Sequence, residues 1–342
     1  MEHVEIVHTL TDIDEADWNG LVGEGDFYSS YQWLHSHDSL PGLKSAYVLL
    51  RSGAHFLAAA PVSFAKHDIA TAYSQQHFNE VFGEQLRFAL LGTRRGYRSS
   101  LLIADLVPPE ERKEITAELV RAALRVSAEW GAESLVTPYA PAETVAALSA
   151  ADVIGRTKEV DTEAVLILTG GNFEDYLGSL PSHRRVSIRH ERAALRAMGL
   201  TLRVEDVRPG CTEELAGLLA QVERKYGRHA TVNGLRRYLT STFEGDPQHA
   251  RLFTCRDAGG RLLSAMLAYE WGQGLYARAT ATDYESLPRG SFAYFNVVYY
   301  EPIEYCLSHG LTSLYFGVGA MDTKRARGCQ QLPLRHVLLT GT

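Results

Sequence analysis

The chain of 342 residues contains little cysteine, and what it has is not spaced for metal binding or cross-linking. Its cysteines are isolated and all lie in the second half, at Cys211, Cys255, Cys306 and Cys329. This spacing excludes a cysteine-based zinc site and a disulfide framework. Reduced thiols are typical of the cytoplasm, and we expect a cytoplasmic protein.

Long apolar runs are also lacking. None approaches the ~20 residues that a membrane-spanning helix needs. The first twelve residues lack a basic segment followed by an apolar one, so we expect neither a secretory signal nor a membrane span. Hydrophobic residues make up 45% and charged residues 22%, as in soluble globular proteins.

Several catalytic signatures are missing. The sequence has no Gly-x-Ser-x-Gly elbow, no Walker loop and no dinucleotide fingerprint after a strand. His35-x-His37-Asp38 lacks further ligands, so we expect no metal and no permanently bound cofactor. The net charge of -7 argues against a surface that binds nucleic acid throughout, although a local basic stripe can still do so.

The secondary-structure pattern repeats once along the chain. Each half is predicted to follow the order β-α-α-β-β-β-α-β-(α)-β, and the length favours two domains, at residues 1–168 and 169–342. Turns at 257–260 and 272–274 predict an antiparallel meander in the second half. The predicted fold class is therefore α/β (α+β), with two tandem domains, each a mixed, largely antiparallel sheet flanked by helices.

Four segments of the second half resemble a known family. They are Phe173–Leu177 followed by Arg184–Arg189, Tyr294–Asn296, Tyr299–Pro302, and Phe316–Gly319 followed by Lys324–Gly328. With the element order, they resemble the GNAT acyltransferase fold, and two copies in one chain resemble the Fem family of aminoacyl-tRNA-dependent transferases. In the first half the resemblance rests on element order.

This resemblance implies an N-acyltransferase that forms an amide bond. The donor would be aminoacyl-tRNA, and the acceptor the amine of a small peptide, nucleoside or cell-wall-type precursor. Two alternatives stay open: an N-acetyltransferase that uses acyl-CoA, and a degenerate GNAT-like pair that binds a ligand without turnover.

A basic helix is predicted over residues 182–198. Its arginines are spaced 4, 3 and 4 apart and share one face: Arg185, Arg189, Arg192 and Arg196. This arginine stripe is a candidate phosphate-binding surface for a tRNA acceptor stem or a nucleotide. The alternative is a solvated face whose charge is offset by acids such as Glu191. An adjacent apolar stripe is predicted to dock the helix: Val186, Ala193, Ala197 and Leu200.

Neither half carries the glycine pattern with which GNAT enzymes hold the coenzyme A pyrophosphate on backbone amides. The corresponding second-half stretch, Asp283–Phe292, has only Arg289-Gly290. The first-half stretch, Gly92–Arg98, is basic, which makes Arg94, Arg95 and Tyr97 candidates for acceptor or anion binding, or else an exposed turn. This departure favours a donor held by arginines, including Arg289 and Arg327.

The reaction centre is predicted in the second half, where aminolysis needs a proton route and positive charge at the oxyanion. Lys324 lies where Fem ligases use a lysine to stabilise the oxyanion or leaving group. Asp283 is a candidate to orient the amine or accept its proton. Tyr300, or Tyr299, is a candidate proton donor, although both also suit a core. The central strand adds two candidate acceptor contacts, Tyr276 and Arg278.

Overall fold

A computed structural model describes residues 2–38, 42–65, 71–85, 87–225, 227 and 230–339. The chain divides into two units, Met1–Thr162 with Leu332–Thr342, and Glu163–Gln331. The predicted second domain includes all of residues 169–342, whereas in the structure most of the last strand belongs to the first unit. No helix in the described part is long and apolar enough to cross a membrane.

The first unit contains a mixed sheet with helices. Its strands are β1 (Glu2–Val7), β2 (Leu43–Ser52), β3 (His55–Ala65), β4 (Phe88–Leu91), β5 (Leu102–Ile103), β6 (Ser134–Ala140), the start of β7 (Ile154–Ile167) and most of the last strand, β13 (Gln330–Leu339). Its helices are α1 (Glu15–Asn19), α2 (Tyr31–Asp38), α3 (Gln75–Phe82), α4 (Arg112–Glu129) and α5 (Ala142–Ala150). The sheet order is β1-β2-β3-β4-β6-β13, with β5 on β3.

Apolar spacing explains why α4 forms and where it packs. Ile115, Leu119, Ala122 and Val126 lie on one face and are buried against the sheet. The last strand joins the same core through Val337 and Leu339, and pairs antiparallel with β6.

Helix α3 is held by its two caps and by two aromatic residues. The hydroxyl of Ser74 caps the helix by accepting from His77 N at 3.1 Å, and Gly83 ends it with a left-handed φ of 71°. Phe78 and Phe82, four residues apart, dock it. Its remaining residues are mostly polar, so the sequence shows only a weak helical pattern of apolar residues.

The second unit has the same type of sheet. Its strands are the end of β7, β8 (Thr201–Asp206), β9 (Ala250–Arg256), β10 (Leu262–Trp271), β11 (Gly274–Thr282) and β12 (Ser313–Tyr315). Its helices are α6 (Phe173–Gly178), α7 (Ser182–Ala197), α8 (Cys211–Lys225), α9 (Val232–Leu239), α10 (Ala293–Phe295), α11 (Glu301–His309) and α12 (Met321–Arg325). The sheet order is β7-β12-β11-β10-β9-β8, in which only β11 and β12 are parallel among the described strand pairs.

The predicted meander is present as β9, β10 and β11. The side chain of Asp257 accepts from Gly259 N at 2.9 Å and from Arg261 N at 3.0 Å, which fixes the first turn. Helix α8 is predicted to end at Tyr226, which lies outside the described residues. Helices α10 and α11 are joined by a π-helical turn, Asn296–Tyr300, a feature frequent at functional sites.

Candidate active site

The junction between β11 and α10, residues 283–292, is where a GNAT fold would hold coenzyme A. Three of its amides are already satisfied within the junction. Ser286 N and Leu287 N donate to Asp283 at 3.1 Å, and Ser291 N donates to Pro288 O at 3.1 Å. Arg289 and Gly290 lie in an exposed turn. The amides of Ser286, Leu287 and Ser291 are therefore already engaged within the junction.

Asp283 anchors this junction. Its carboxylate is buried, accepts from Ser286 N and pairs with Arg261 at 2.6 Å. Burial alone raises the pKa of this carboxyl, but the bonds from Ser286 and the charge of Arg261 outweigh it and hold the pKa below its usual value. Such a carboxylate is a weak proton acceptor, so its predicted role as a base stays a prediction without geometric support.

Strand β11 carries a bulge next to β12. In the β10–β11 register, Leu267 pairs with Ala279 and Ala268 with Ala277, which leaves Arg278 as the extra residue. The β11–β12 pairing ends at Tyr276 and Tyr315, whose rings stack 4.3 Å apart. Tyr276 is fully buried where the strands part, whereas Arg278 is partly exposed.

Lys324 points inward from α12 and is only 6% exposed. Its ammonium donates to the carbonyls of Phe316 at 2.9 Å, Gly317 at 3.0 Å and Val318 at 2.9 Å. These acceptors use all three ammonium protons. The side chain thus holds the backbone that follows β12, and an oxyanion could be contacted only if one carbonyl were released.

Tyr300 and Arg327 meet at Glu191 on α7. The Tyr300 hydroxyl donates to the Glu191 carboxylate, and Arg327 Nη2 donates to the same oxygen at 3.1 Å. Arg327 is buried, lies 4.1 Å from the Phe295 ring centroid, and donates to Thr323 O at 3.0 Å. Burial raises the pKa of Tyr300 far above its usual range, against a smaller opposing effect of Arg327. We call Glu191, Tyr300 and Arg327 the carboxylate hub.

The contacts of the carboxylate hub affect two roles predicted from the sequence: proton donation by Tyr300 or Tyr299, and donor binding by Arg327. The Tyr300 proton is committed to Glu191, and Tyr299 is buried against Phe316 with its pKa also raised by burial. Arg327 is enclosed by protein groups, so binding a donor phosphate there would require it to leave Glu191. From the sequence, Glu191 is predicted only to offset the charge of the stripe, and no local signal indicates its contacts with the distant Tyr300 and Arg327.

The arginine stripe on α7 is partly neutralised by acids. Arg189 pairs with Glu174 and Arg192 with Glu304, while Arg185 donates to Leu180 O at 2.6 Å. Arg189 is 54% exposed and Arg192 only 12%. The exposed members, Arg189 and Arg196, are the ones able to meet a phosphate without dismantling a buried contact.

The predicted apolar docking stripe of α7 is wrong in three of its four members, since only Leu200 packs against the core. Val186 is 64% exposed, and Ala193 and Ala197 are exposed as well. Ile188 and Leu195, seven residues apart, are buried instead. Ile188 and Leu195 have larger side chains than the two alanines, so burying them removes more apolar surface from water.

In the first unit, residues 92–100 form an enclosed loop and not an exposed turn. Arg94 is buried, and its carbonyl accepts from Trp33 Nε1 at 3.1 Å. A Cβ at Gly96 would lie 2.5 Å from the Tyr28 ring, so only glycine fits there. Arg95 and Tyr97 are partly exposed. These predicted acceptor contacts lie in the first unit, whereas Tyr276 and Arg278 lie in the second.

Two residues near this loop have left-handed backbone conformations that non-glycine residues rarely adopt: Arg95 with φ 60° and Tyr139 with φ 48°. Ser99 N donates to Tyr139 O at 3.1 Å, and the rings of Tyr97 and Tyr139 lie 6.1 Å apart. Strained residues are concentrated at functional sites, which makes Tyr139 an additional candidate that the sequence analysis missed.

His336 on β13 contacts the backbone of Tyr139. Its Nδ1 accepts from Tyr139 N at 3.1 Å, so the imidazole is neutral with its proton on Nε2. Burial, with a smaller contribution from His77, lowers the pKa of His336 to about 3.

This burial predicts acid sensitivity. The unfolded chain binds a proton at His336 below the ordinary value of 6.5, whereas the folded chain does so only near 3. The contribution of neutral His336 to the free energy of unfolding is therefore fully present above pH 6.5. It is lost as the pH falls, by about 2 kcal/mol between pH 6.5 and 5. In urea titrations across this range, His336→Gln should remove that loss, because the amide can accept from Tyr139 N without titrating. His35→Gln, at an exposed position, is the control. Equal pH slopes for both variants would contradict the prediction.

Among the described residues, no three His, Cys, Asp or Glu side chains are grouped to hold an ion. His37 Nδ1 instead lies 2.8 Å from Trp33 O within its own helix.

Several solved structures of other proteins are similar to this fold. The crystal structure of FemX aligns with 97% of this chain and 96% of its own, with a TM-score of 0.65 at 13% identity. A tandem GNAT protein from the clavulanic acid biosynthesis pathway aligns over 99% of both chains, with a TM-score of 0.55 at 11% identity. L-PGS from Bacillus licheniformis aligns with 82% of this chain and 81% of its own, with a TM-score of 0.53 at 13% identity.

These structural alignments confirm the predicted fold class. A search of curated proteins finds no significant match in sequence. The model of the FemAB_like family, described as peptidoglycan biosynthesis/recognition, matches residues 95–337, which is more than half of the chain. The chain therefore belongs to the FemAB_like family, as its motifs and element order predict.

Proposed function

We propose that this protein is an N-acyltransferase that moves an aminoacyl group from aminoacyl-tRNA to an amine of a small peptide, nucleoside or cell-wall-type precursor. Membership of the FemAB_like family supports an amide-forming transferase in general. The choice of donor rests on one observation, the junction at residues 283–292. Three of its amides, those of Ser286, Leu287 and Ser291, donate to Asp283 and Pro288, and a pyrophosphate bound at these amides would have to displace the internal acceptors.

The arginine stripe offers a different way to hold an anionic donor. Arg189 pairs with Glu174 in an exposed ion pair, which contributes under about 1 kcal/mol and is readily exchanged for a phosphate. Arg196 lies two turns further along the same face and is also exposed. Arg192, buried in its pair with Glu304, fixes the helix and is not assigned a phosphate.

The reaction forms the amide C–N bond and breaks the ester C–O bond, while a proton passes from the amine to the leaving ribose hydroxyl. Asp283 and Tyr300 are poorly suited to carry that proton, because one is held ionised and the other is committed to Glu191. Catalysis in this proposal comes mainly from positioning the two substrates. Lys324 acts by shaping the backbone at residues 316–318.

An assay with both donors tests the proposal. Purified full chain is supplied with candidate amines and either a mixture of radiolabelled aminoacyl-tRNAs or radiolabelled acetyl-CoA. We expect transfer from aminoacyl-tRNA that ribonuclease abolishes. Acetylation that depends on acetyl-CoA and is unaffected by ribonuclease would overturn the donor assignment and identify an acyl-CoA enzyme.

Charge reversal on α7 tests whether its exposed arginines bind tRNA. Arg189→Glu combined with Arg196→Glu should weaken tRNA binding at least tenfold and reduce the slope of log affinity against log salt by about two, one per lost phosphate contact. The matched control reverses Arg121 and Arg125, two exposed arginines of α4. Equal tRNA affinity in the two double variants would remove α7 from the donor site.

A further inference from the structure

The sheet of the second unit ends in an open strand edge. Strand β8 is the last strand of that sheet, and β9 is the only described strand that pairs with it. All six residues of β8 pair with β9 in an unbroken register, and none of the six is buried. Edge strands are often protected by a proline or a bulge, and β8 has neither. Its outer backbone groups can therefore pair with a further strand.

Two charged residues on one face of β8 are incompletely paired. Arg203 is exposed and makes no hydrogen bond or ion pair with any described residue. Glu205 uses Oε1 to accept from Thr254 Oγ1 at 2.7 Å and from Arg256 Nε at 3.1 Å. Its other oxygen, Oε2, accepts from no described donor. The strand thus carries a cation without a partner and an anion with one oxygen still available.

Glu205 is held ionised. Burial alone raises the pKa of this carboxyl, but the bonds from Thr254 and Arg256 and the charge of Arg203 outweigh it and hold the pKa below its usual value. Arg203 and Glu205 are two residues apart, which separates them by about 7 Å along the strand. Residues directly opposite each other on neighbouring strands are closer, with Cβ atoms about 4.5–5.5 Å apart. A neighbouring strand can therefore bring a carboxylate closer to Arg203 than β8 itself does.

A second copy of β8 supplies that carboxylate. In an antiparallel pair of strands related by a two-fold axis, one residue lies opposite its own copy. When that residue is Val204, Arg203 of each copy faces Glu205 of the other, and two opposite-charge pairs form. An axis at Arg203 or at Glu205 would place like charges opposite each other, as would a parallel pair in register. In the Val204 register the two valines, each 41% exposed in the single chain, contact each other, and Asp206 faces Leu202.

The terminal strand of the first unit lacks this complementarity. Strand β1 contains two glutamates and a histidine but no lysine or arginine. Its Glu5 already pairs with Arg51 at 2.6 Å. Pairing β1 with its own copy would add carboxylates without adding an arginine, so the charge pattern favours β8.

We propose that this chain forms a two-fold dimer in which β8 pairs antiparallel with β8 of a second copy, centred on Val204. The sheet of the second unit continues from one copy into the other, with the Arg203–Glu205 pairs on one face and the valines on the opposite face. One pair of short strands buries less than the roughly 1,200 Å² of a small stable interface, so we expect a weak dimer, with a dissociation constant of about 10–100 μM. The dimer does not depend on the transfer reaction being correct.

Sedimentation velocity of the purified full chain tests the dimer, over about 1–500 μM to span the expected constant. We expect a concentration-dependent shift from monomer to dimer. Arg203→Glu should weaken dimerisation at least tenfold, because the new carboxylate faces Glu205 of the other copy. Arg237→Glu, the same change at an exposed position on α9, is the control and should dimerise normally. Adding Glu205→Lys to Arg203→Glu exchanges the two signs and should restore the dimer in a variant whose circular dichroism shows it to be folded.

Cross-linking tests the register independently. Val204→Cys, made with Cys211→Ser to remove a partly exposed thiol, should be joined into a covalent dimer by a short bis-maleimide, because position 204 faces its own copy. Val186→Cys is the control, since Val186 is 64% exposed but lies on α7. Equal cross-linking at the two positions, or equal dimer affinity in Arg203→Glu and Arg237→Glu, would overturn the proposal. A monomer at every concentration would also overturn it and would leave the β8 edge to a different partner, such as an extended peptide.

Discussion

Replacing Lys324 with methionine is expected to lower the free energy of unfolding by roughly 3–5 kcal/mol. The methionine side chain is of similar length but cannot donate, so the carbonyls of Phe316 and Val318 lose the Lys324 donor, and the carbonyl of Gly317 keeps only its bond from Ala164 N at 3.0 Å. An unsatisfied buried polar group costs about 1–3 kcal/mol, and partial hydration of the loop reduces the sum.

The neighbouring residue provides a matched control for this measurement. Arg325 is exposed and pairs at 3.5 Å with Asp322, which is almost fully exposed. Arg325→Met should therefore change the unfolding free energy by less than about 0.5 kcal/mol. Urea denaturation of both variants, followed by fluorescence, compares loss of one cation on the inner and outer sides of α12.

The result also separates two roles for Lys324. A variant that unfolds much more easily shows that the ammonium holds the loop after β12. If Lys324→Met kept full stability while losing turnover, the ammonium would act on the reactants, as the family resemblance implies, and the structural role argued here would be wrong.

Local signals in the sequence predict much of the second unit. The 4, 3 and 4 spacing of the α7 arginines reflects helical periodicity, which depends only on neighbours along the chain. The Asp257 turn is likewise local, since its side chain bonds to amides two and four residues away. Such features can be read without knowing the partner surfaces.

Contacts between distant residues could not be predicted in this way. Lys324 lies among exposed charges, and nothing in its neighbours indicates that the ammonium turns inward. Glu191 and Arg327 are 136 residues apart. The pairing of β13 with β6 depends on where the chain returns after the second unit, and no periodicity encodes that return.

The carboxylate hub should show strong energetic coupling between Glu191 and Arg327. Glu191→Ala removes the acceptor of the Tyr300 hydroxyl and leaves the buried Arg327 guanidinium without its carboxylate, and should cost about 3–5 kcal/mol of unfolding free energy. Adding Arg327→Met removes the stranded charge, so the double variant should be less unstable than the two single losses added together.

An exposed pair on the same helix supplies the comparison. Arg189 and Glu174 lie 2.6 Å apart, but their side chains are 54% and 69% exposed. A double-mutant cycle there should give a coupling energy below about 1 kcal/mol, because water solvates either charge when its partner is removed. The buried cycle should give about 1–3 kcal/mol.

The conservative variant tests whether charge or hydrogen bonding dominates in the hub. Glu191→Gln keeps an oxygen that can accept from Tyr300 or Arg327, but removes the negative charge. If Glu191→Gln is nearly as destabilising as Glu191→Ala, the buried charge pair is the main contribution. If it restores most of the stability, the hydroxyl and guanidinium need an acceptor more than an opposite charge. Equal coupling in the buried and exposed cycles would contradict both outcomes, because the hub would then behave as solvated surface.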